Sequence, residues 1–102
     1  MPRLLNGLPT VDYESLTVSS SAVSLTQSKY DRVPPVVGAI VTVDTAPIRW
    51  RKDGTAPTAT EGQFMIPTGD PLILLGPDLP NFKAIRFGSS NATIRVHYLG
   101  AG

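Results

Sequence analysis

A chain of 102 residues, 41% of them hydrophobic and 17% charged, has room for one small core and not for two, and is too apolar for wholesale disorder. Its formal net charge of +1 argues against a nucleic-acid binder that works by neutralising phosphates, which would be far more basic. It has no cysteine, so packing or assembly must hold it together rather than disulfides.

Ten prolines and nine glycines leave little space for long helices and suit short strands joined by tight turns. Residues 1–13 read as an N-terminal arm, because Pro2, Gly7 and Pro9 interrupt any regular element. Leu4, Leu5 and Leu8 need an apolar surface to lie on. That surface is either the chain's own domain or a neighbouring subunit. The arm has no continuous apolar stretch of the kind a secretory leader needs.

Residues 14–19 and 22–27 are two short strand candidates. Leu16 and Val18 alternate with Ser15 and Thr17, and Val23 and Leu25 with Ser24 and Thr26. Ser19-Ser20-Ser21 would join them as a hairpin, and residues 29–35, ending in Pro34-Pro35, form a connection. Residues 36–43 are strongly β-branched and predict a central strand. Asp44-Thr45-Ala46-Pro47 turns the chain and Ile48-Arg49-Trp50-Arg51-Lys52 returns it, with Ile48 and Trp50 on an apolar face and Arg49 and Arg51 on a cationic one. Asp53-Gly54 is a strong turn signal and opens a loop over residues 53–62.

Residues 63–66 predict a further short strand, ended by Pro67-Thr68-Gly69-Asp70. Leu72, Ile73, Leu74 and Leu75 form a continuous apolar strand, far too short to span a membrane. Pro77-Asp78-Leu79-Pro80 is another turn. Residues 82–87 and 92–99 then read as a hairpin through Gly88-Ser89-Ser90-Asn91, with Ala92, Ile94, Val96 and Tyr98 on one face of the last strand. About eight short strands at this spacing predict a small all-β domain over residues 14–102, an antiparallel sandwich or barrel of immunoglobulin-like or jelly-roll-like design. Its expected core is Val41, Val43, Ile48, Trp50, Phe64, Ile66, Leu72, Leu74, Ile85, Phe87, Ile94, Val96 and Tyr98.

Catalytic chemistry is sparsely represented. His97 is the one histidine; no nucleophile-elbow pattern accompanies it, and it reads as a sheet-surface or interface residue. One histidine without cysteine cannot fill a tetrahedral zinc site. Asp53, Glu61 and Asp70 fall on loops, where capping of turns accounts for them better than calcium does. The expectation is therefore a protein with no metal, no cofactor and no enzymatic activity. Arg49, Arg51, Arg86 and Arg95 all fall on predicted strands. If the hairpins share a sheet, they form one cationic face, which is either solvated to resist edge pairing or docked on an acidic protein surface. The unalternating run of Leu72, Ile73, Leu74 and Leu75 is either covered on both sides or part of a subunit interface.

Residues 46–62, followed by Pro67-Thr68-Gly69-Asp70 and Phe82-Lys83-Ala84-Ile85-Arg86-Phe87-Gly88, resemble small virion-associated structural proteins of tailed bacteriophages. The resemblance spans about residues 37–99. It implies a capsid decoration or cement protein that binds across capsid subunits as a homo-oligomer, with the major capsid protein or other virion proteins as partners and neither nucleic acid nor membrane among them. It implies a virion location after assembly in the host bacterial cytoplasm. A tail or neck component is a variant of the same expectation. The Asp53-Gly54-Thr55-Ala56-Pro57-Thr58 turn is also similar to one in immunoglobulin-like modules of carbohydrate-active and surface proteins, which implies a carbohydrate- or receptor-binding alternative. Leu4, Leu5, Leu8, Arg49, Arg51, Leu72, Ile73, Leu74, Leu75 and Arg95 are the candidate interface residues.

Overall fold

Period-two runs of β-branched and aromatic residues, cut every few positions by proline or glycine, extend as strands because branched side chains pack well on a pleated surface. The computed structural model describes residues 9–33, 35–58 and 60–100. In it these runs become β1 (Thr10–Val18), β2 (Val23–Ser24), β3 (Val36–Asp44), β4 (Ile48–Arg51), β5 (Gln63–Met65), β6 (Leu72–Leu75), β7 (Lys83–Arg86) and β8 (Ala92–Gly100). A single helical turn, α1 (Gln27–Tyr30), follows β2, and a 3-10 helix at Gly76–Asn81 follows β6.

Two four-stranded antiparallel sheets face each other. The first has the order β1-β8-β3-β6 and the second β2-β7-β4-β5. Apart from β4 and β5, consecutive strands lie in different sheets. This is the strand order of an eight-stranded jelly roll.

That order corrects both expected hairpins. β7 pairs with β2 and β4, whereas β8 pairs with β1 and β3. β1 and β2 are likewise separated between the sheets. The links 88–91 and 19–22 hold no two-residue Asn-Gly or Asp-Gly turn to force a hairpin, and each is long enough to cross the roughly 10 Å between packed sheets. The crossing after β1 is fixed where Ser19 accepts a hydrogen bond from the Arg86 amide, and the crossing after β3 where Pro47 accepts one from the Phe87 amide. The start of the sheet also moves. Thr10, Val11, Asp12 and Tyr13, expected in the arm, belong to β1, with Tyr13 opposite His97. Leu4, Leu5 and Leu8 lie outside the described residues.

The core sits between the sheets. β8 turns Ala92, Ile94, Val96 and Tyr98 inward, as its alternation predicts, and all four are buried. Val41, Val43, Ile48 and Leu74 join them, and Trp50 and Leu72 pack against the cluster half-buried. β5 and β7 run in the opposite phase to that expected. Met65, Phe82 and Ala84 point inward, while Phe64, Ile66 and Phe87 are exposed and Ile85 is half-buried. Both parities of residues 82–87 are apolar, so alternation alone selects neither. Phe82 is completely buried, its ring 6.1 Å from that of Trp50, a burial worth about 2–3 kcal/mol.

Candidate interaction surfaces

The outer face of the second sheet carries the most distinctive cluster. β4 sends Ile48 inward and Arg49 outward, and cross-strand pairing sets Ile85 and Phe64 on either side of Arg49. The Arg49 guanidinium lies 5.0 Å from the centre of the Phe87 ring and 5.8 Å from that of Phe64. The two rings meet edge-on, 4.8 Å apart. Nη1 of Arg49 also donates to the carbonyl of Gly62 at 3.0 Å. Phe64 is 51% exposed, Phe87 41% and Ile66 39%. In the next row, Ser24, Lys83 and Arg51 stand side by side. Lys83 donates to Ser24 at 3.1 Å. Arg51 pairs with Asp53 through Nε at 3.0 Å and through Nη2. Hydrogen bonds from Arg51, and then from the Thr55 amide, hold the Asp53 carboxyl below its ordinary range.

The first sheet presents a different surface. β6 is an edge strand, and its four apolar residues divide. Leu74 is buried against the core and Leu72 half-buried, whereas Ile73 and Leu75 point out and are exposed. The expected interface run therefore narrows to Ile73 and Leu75. Tyr13, His97, Ile40 and Ile73 line up in one row across all four strands, with the rings of Tyr13 and His97 4.8 Å apart. Arg95 stands one row away and pairs with Asp44 at 3.1 Å. It also donates to the Ser15 hydroxyl at 3.2 Å and to Tyr13 Oη at 3.4 Å. Hydrogen bonds with Ser15 and then Arg95 lower the Tyr13 pKa. A single cationic face uniting Arg49, Arg51, Arg86 and Arg95 is thus corrected: Arg95 is on the opposite sheet from Arg49 and Arg51, because β7 and β8 do not form a hairpin, and Arg86 stands opposite Ile48 on the inward side of its own sheet.

An open groove of about 440 Å³ lies beside β4, bordered by Trp50, Arg51, Lys52, Asp53, Thr60, Glu61, Gly62 and Gln63. The loop that forms it is tightly held. The Thr58 hydroxyl accepts from the amides of Thr60 and Glu61, and the Thr58 amide donates to the Glu61 carbonyl. Gly62 closes the loop at φ +130°, where a Cβ would fall 3.0 Å from Pro57 Cβ and 3.2 Å from the Trp50 carbonyl. Asp53 and Glu61, singled out in the sequence, both border this groove, and Asp70 does not. Among the described residues no three His, Asp or Glu side chains gather closely enough to hold a metal ion, and no helix is long and apolar enough to cross a membrane.

Phe64, Phe87 and Ile66 are surface residues that sequence reasoning assigned to the core. Their best available signal was indirect: Arg49 and Arg51 were already placed on an outward face, and whatever pairs beside Arg49 must share it. No family model, no curated protein and no solved structure matches this chain.

Proposed function

We propose that this chain is a structural protein of a tailed-bacteriophage virion, a decoration or cement protein that binds across neighbouring capsid subunits and stabilises the head. It works by adhesion and not by catalysis, and its place is the virion, assembled in the host cytoplasm. The observation that carries this reading is the outward Phe64–Arg49–Phe87 cluster with Ile66 beside it. Apolar rings grouped on one face of a small domain mark a surface that meets a partner. The jelly-roll order supports the same reading, since viral capsid domains use it, although lectins do too and a fold alone does not fix a function. The resemblance over residues 37–99 adds the phage context. Repeated weak attachment across a shell would add stability that no single contact supplies. Purified protein added to bare heads of the phage that encodes it should co-sediment with them and raise the temperature at which the shells open. Heads that never retain it overturn the proposal.

The groove beside Trp50 favours a second reading, a carbohydrate-binding module. It combines part of an indole with Glu61, Gln63 and the Arg51–Asp53 pair, a mixture of apolar and polar groups suited to a sugar. Glycan-array binding lost in Glu61→Gln and Gln63→Ala would establish it, and a blank array would remove it.

A further inference from the structure

We propose that the outer face of the second sheet, centred on Phe64, Arg49 and Phe87, docks a protein segment that combines carboxylates with apolar side chains. This rests on the reading of the chain as an attachment protein and names the surface and the chemistry of its partner.

Charge is sorted between the sheets in a way the net +1 conceals. The outward positions of the second sheet's strands carry Arg49, Arg51 and Lys83, with Asp53 paired to Arg51, while Arg86 stands opposite Ile48 on the inward side; the strands of the first sheet carry Asp12, Glu14 and Asp44 against Arg95. Phe64, Phe87, Ile66 and Ile85 give the cationic face an apolar centre. The Arg49 fork is held before any partner arrives, by two rings and the Gly62 carbonyl. A held fork loses little freedom on meeting a carboxylate.

A second copy fits this face poorly. Packed face to face about a two-fold axis, Arg49, Arg51 and Lys83 would meet their own likenesses. The outer face of the first sheet offers no acidic complement either. Its outward carboxylate, Asp44, is tied to Arg95, whereas Asp12 and Glu14 stand opposite the buried Tyr98 and Val96 on the inward side. Single-stranded nucleic acid needs open ring faces, and here the rings meet edge-on with a guanidinium over them.

Isotope-labelled protein titrated with a synthetic acidic peptide of alternating Glu and Leu tests the assignment, with the Lys-for-Glu peptide and an oligothymidylate as the other probes. The acidic peptide should shift the amides of residues 48–51, 63–66 and 84–87. The Lys peptide should bind at least tenfold more weakly, as should the acidic peptide to a Phe64→Ala/Phe87→Ala variant. No saturable shift at millimolar peptide, shifts confined to the first sheet, tighter binding of the Lys peptide or of oligothymidylate, or a dimer that buries these amides would each overturn it. Should the double variant fail to fold, the wild-type map and the peptide comparison decide alone. Bare heads separate the two proposals. Heads that ignore the wild type sink the capsid reading but not the face. Heads that hold Phe64→Ala/Phe87→Ala as firmly as the wild type sink the face but not the capsid reading.

Discussion

The Tyr98 hydroxyl donates to the carboxylate of Glu14, joining β8 to β1 from inside the sandwich. Glu14 also accepts from the hydroxyl of Thr26 at 2.5 Å and from its amide at 3.1 Å, so one carboxylate fastens the start of α1 to the first sheet. Burial, and then the Glu14 hydrogen bond, push the Tyr98 pKa far above the ordinary 10.0. The folded chain therefore keeps a proton that the unfolded chain releases near 10.0. The stabilisation is complete below that pH and is lost as the pH rises through and beyond it. Tyr98→Phe should cost about 1–2 kcal/mol at neutral pH and flatten the alkaline decline. Urea unfolding at neutral pH and at about pH 10.5 measures both effects.

Two neighbours on β6 should behave very differently. Leu74 is completely buried and Ile73 is exposed. Leu74→Ala should destabilise by about 2–5 kcal/mol through lost burial and the cavity left behind. Ile73→Ala should stay within about 0.5 kcal/mol. Comparable losses in chemical denaturation would mean that the outward side of β6 is covered.

Acid should loosen the chain through exposed carboxylates. The Tyr13 amide and then Lys29 hold Asp12 below 3.8, and Arg51 does the same for Asp53. Both folded values are depressed, so their stabilisation is present above the ordinary carboxyl range and disappears as pH falls through the folded pKa. Because both groups face water, the effect is modest. Asp12→Asn/Asp53→Asn should lower the melting temperature slightly at neutral pH and flatten its decline between about pH 4 and about pH 2.

Gly62→Ala should report on the Arg49 cluster. A methyl group there meets Pro57 Cβ, the Trp50 carbonyl and Arg49 Cβ within 3.3 Å, at a φ that L-residues rarely adopt. A loss of about 1–3 kcal/mol is expected, together with amide shifts that reach Phe64 and Phe87. A melt unchanged from wild type would show that the loop relaxes freely.

Much of the fold could be read directly, because period-two patterning reports which side of a strand is apolar. Ile48, Ile94, Val96 and Tyr98 are legible as core on that ground. Patterning does not report which strand lies beside which, and so β7 and β8 were read as partners although they face each other across the core. It also fails where both parities are apolar, as in Phe82-Lys83-Ala84-Ile85-Arg86-Phe87, where each parity carries one phenylalanine and the structure buries Phe82 while exposing Phe87. The same limit divided the candidate surface. Arg49 and Arg51 were legible as outward neighbours, while Arg95 was grouped with them only through a hairpin that does not form. Phe64 and Phe87 were hidden by the ordinary expectation that phenylalanine goes inside.

The central position of β8 in the first sheet, between β1 and β3, bears on how the protein is made. A ribosome delivers β1 and β3 dozens of residues before the strand that must lie between them. β1 has no partner strand until residues 92–100 are made, whereas β3 can already meet β6 and the second sheet has all four of its strands by Arg86, so the first sheet is the last to close.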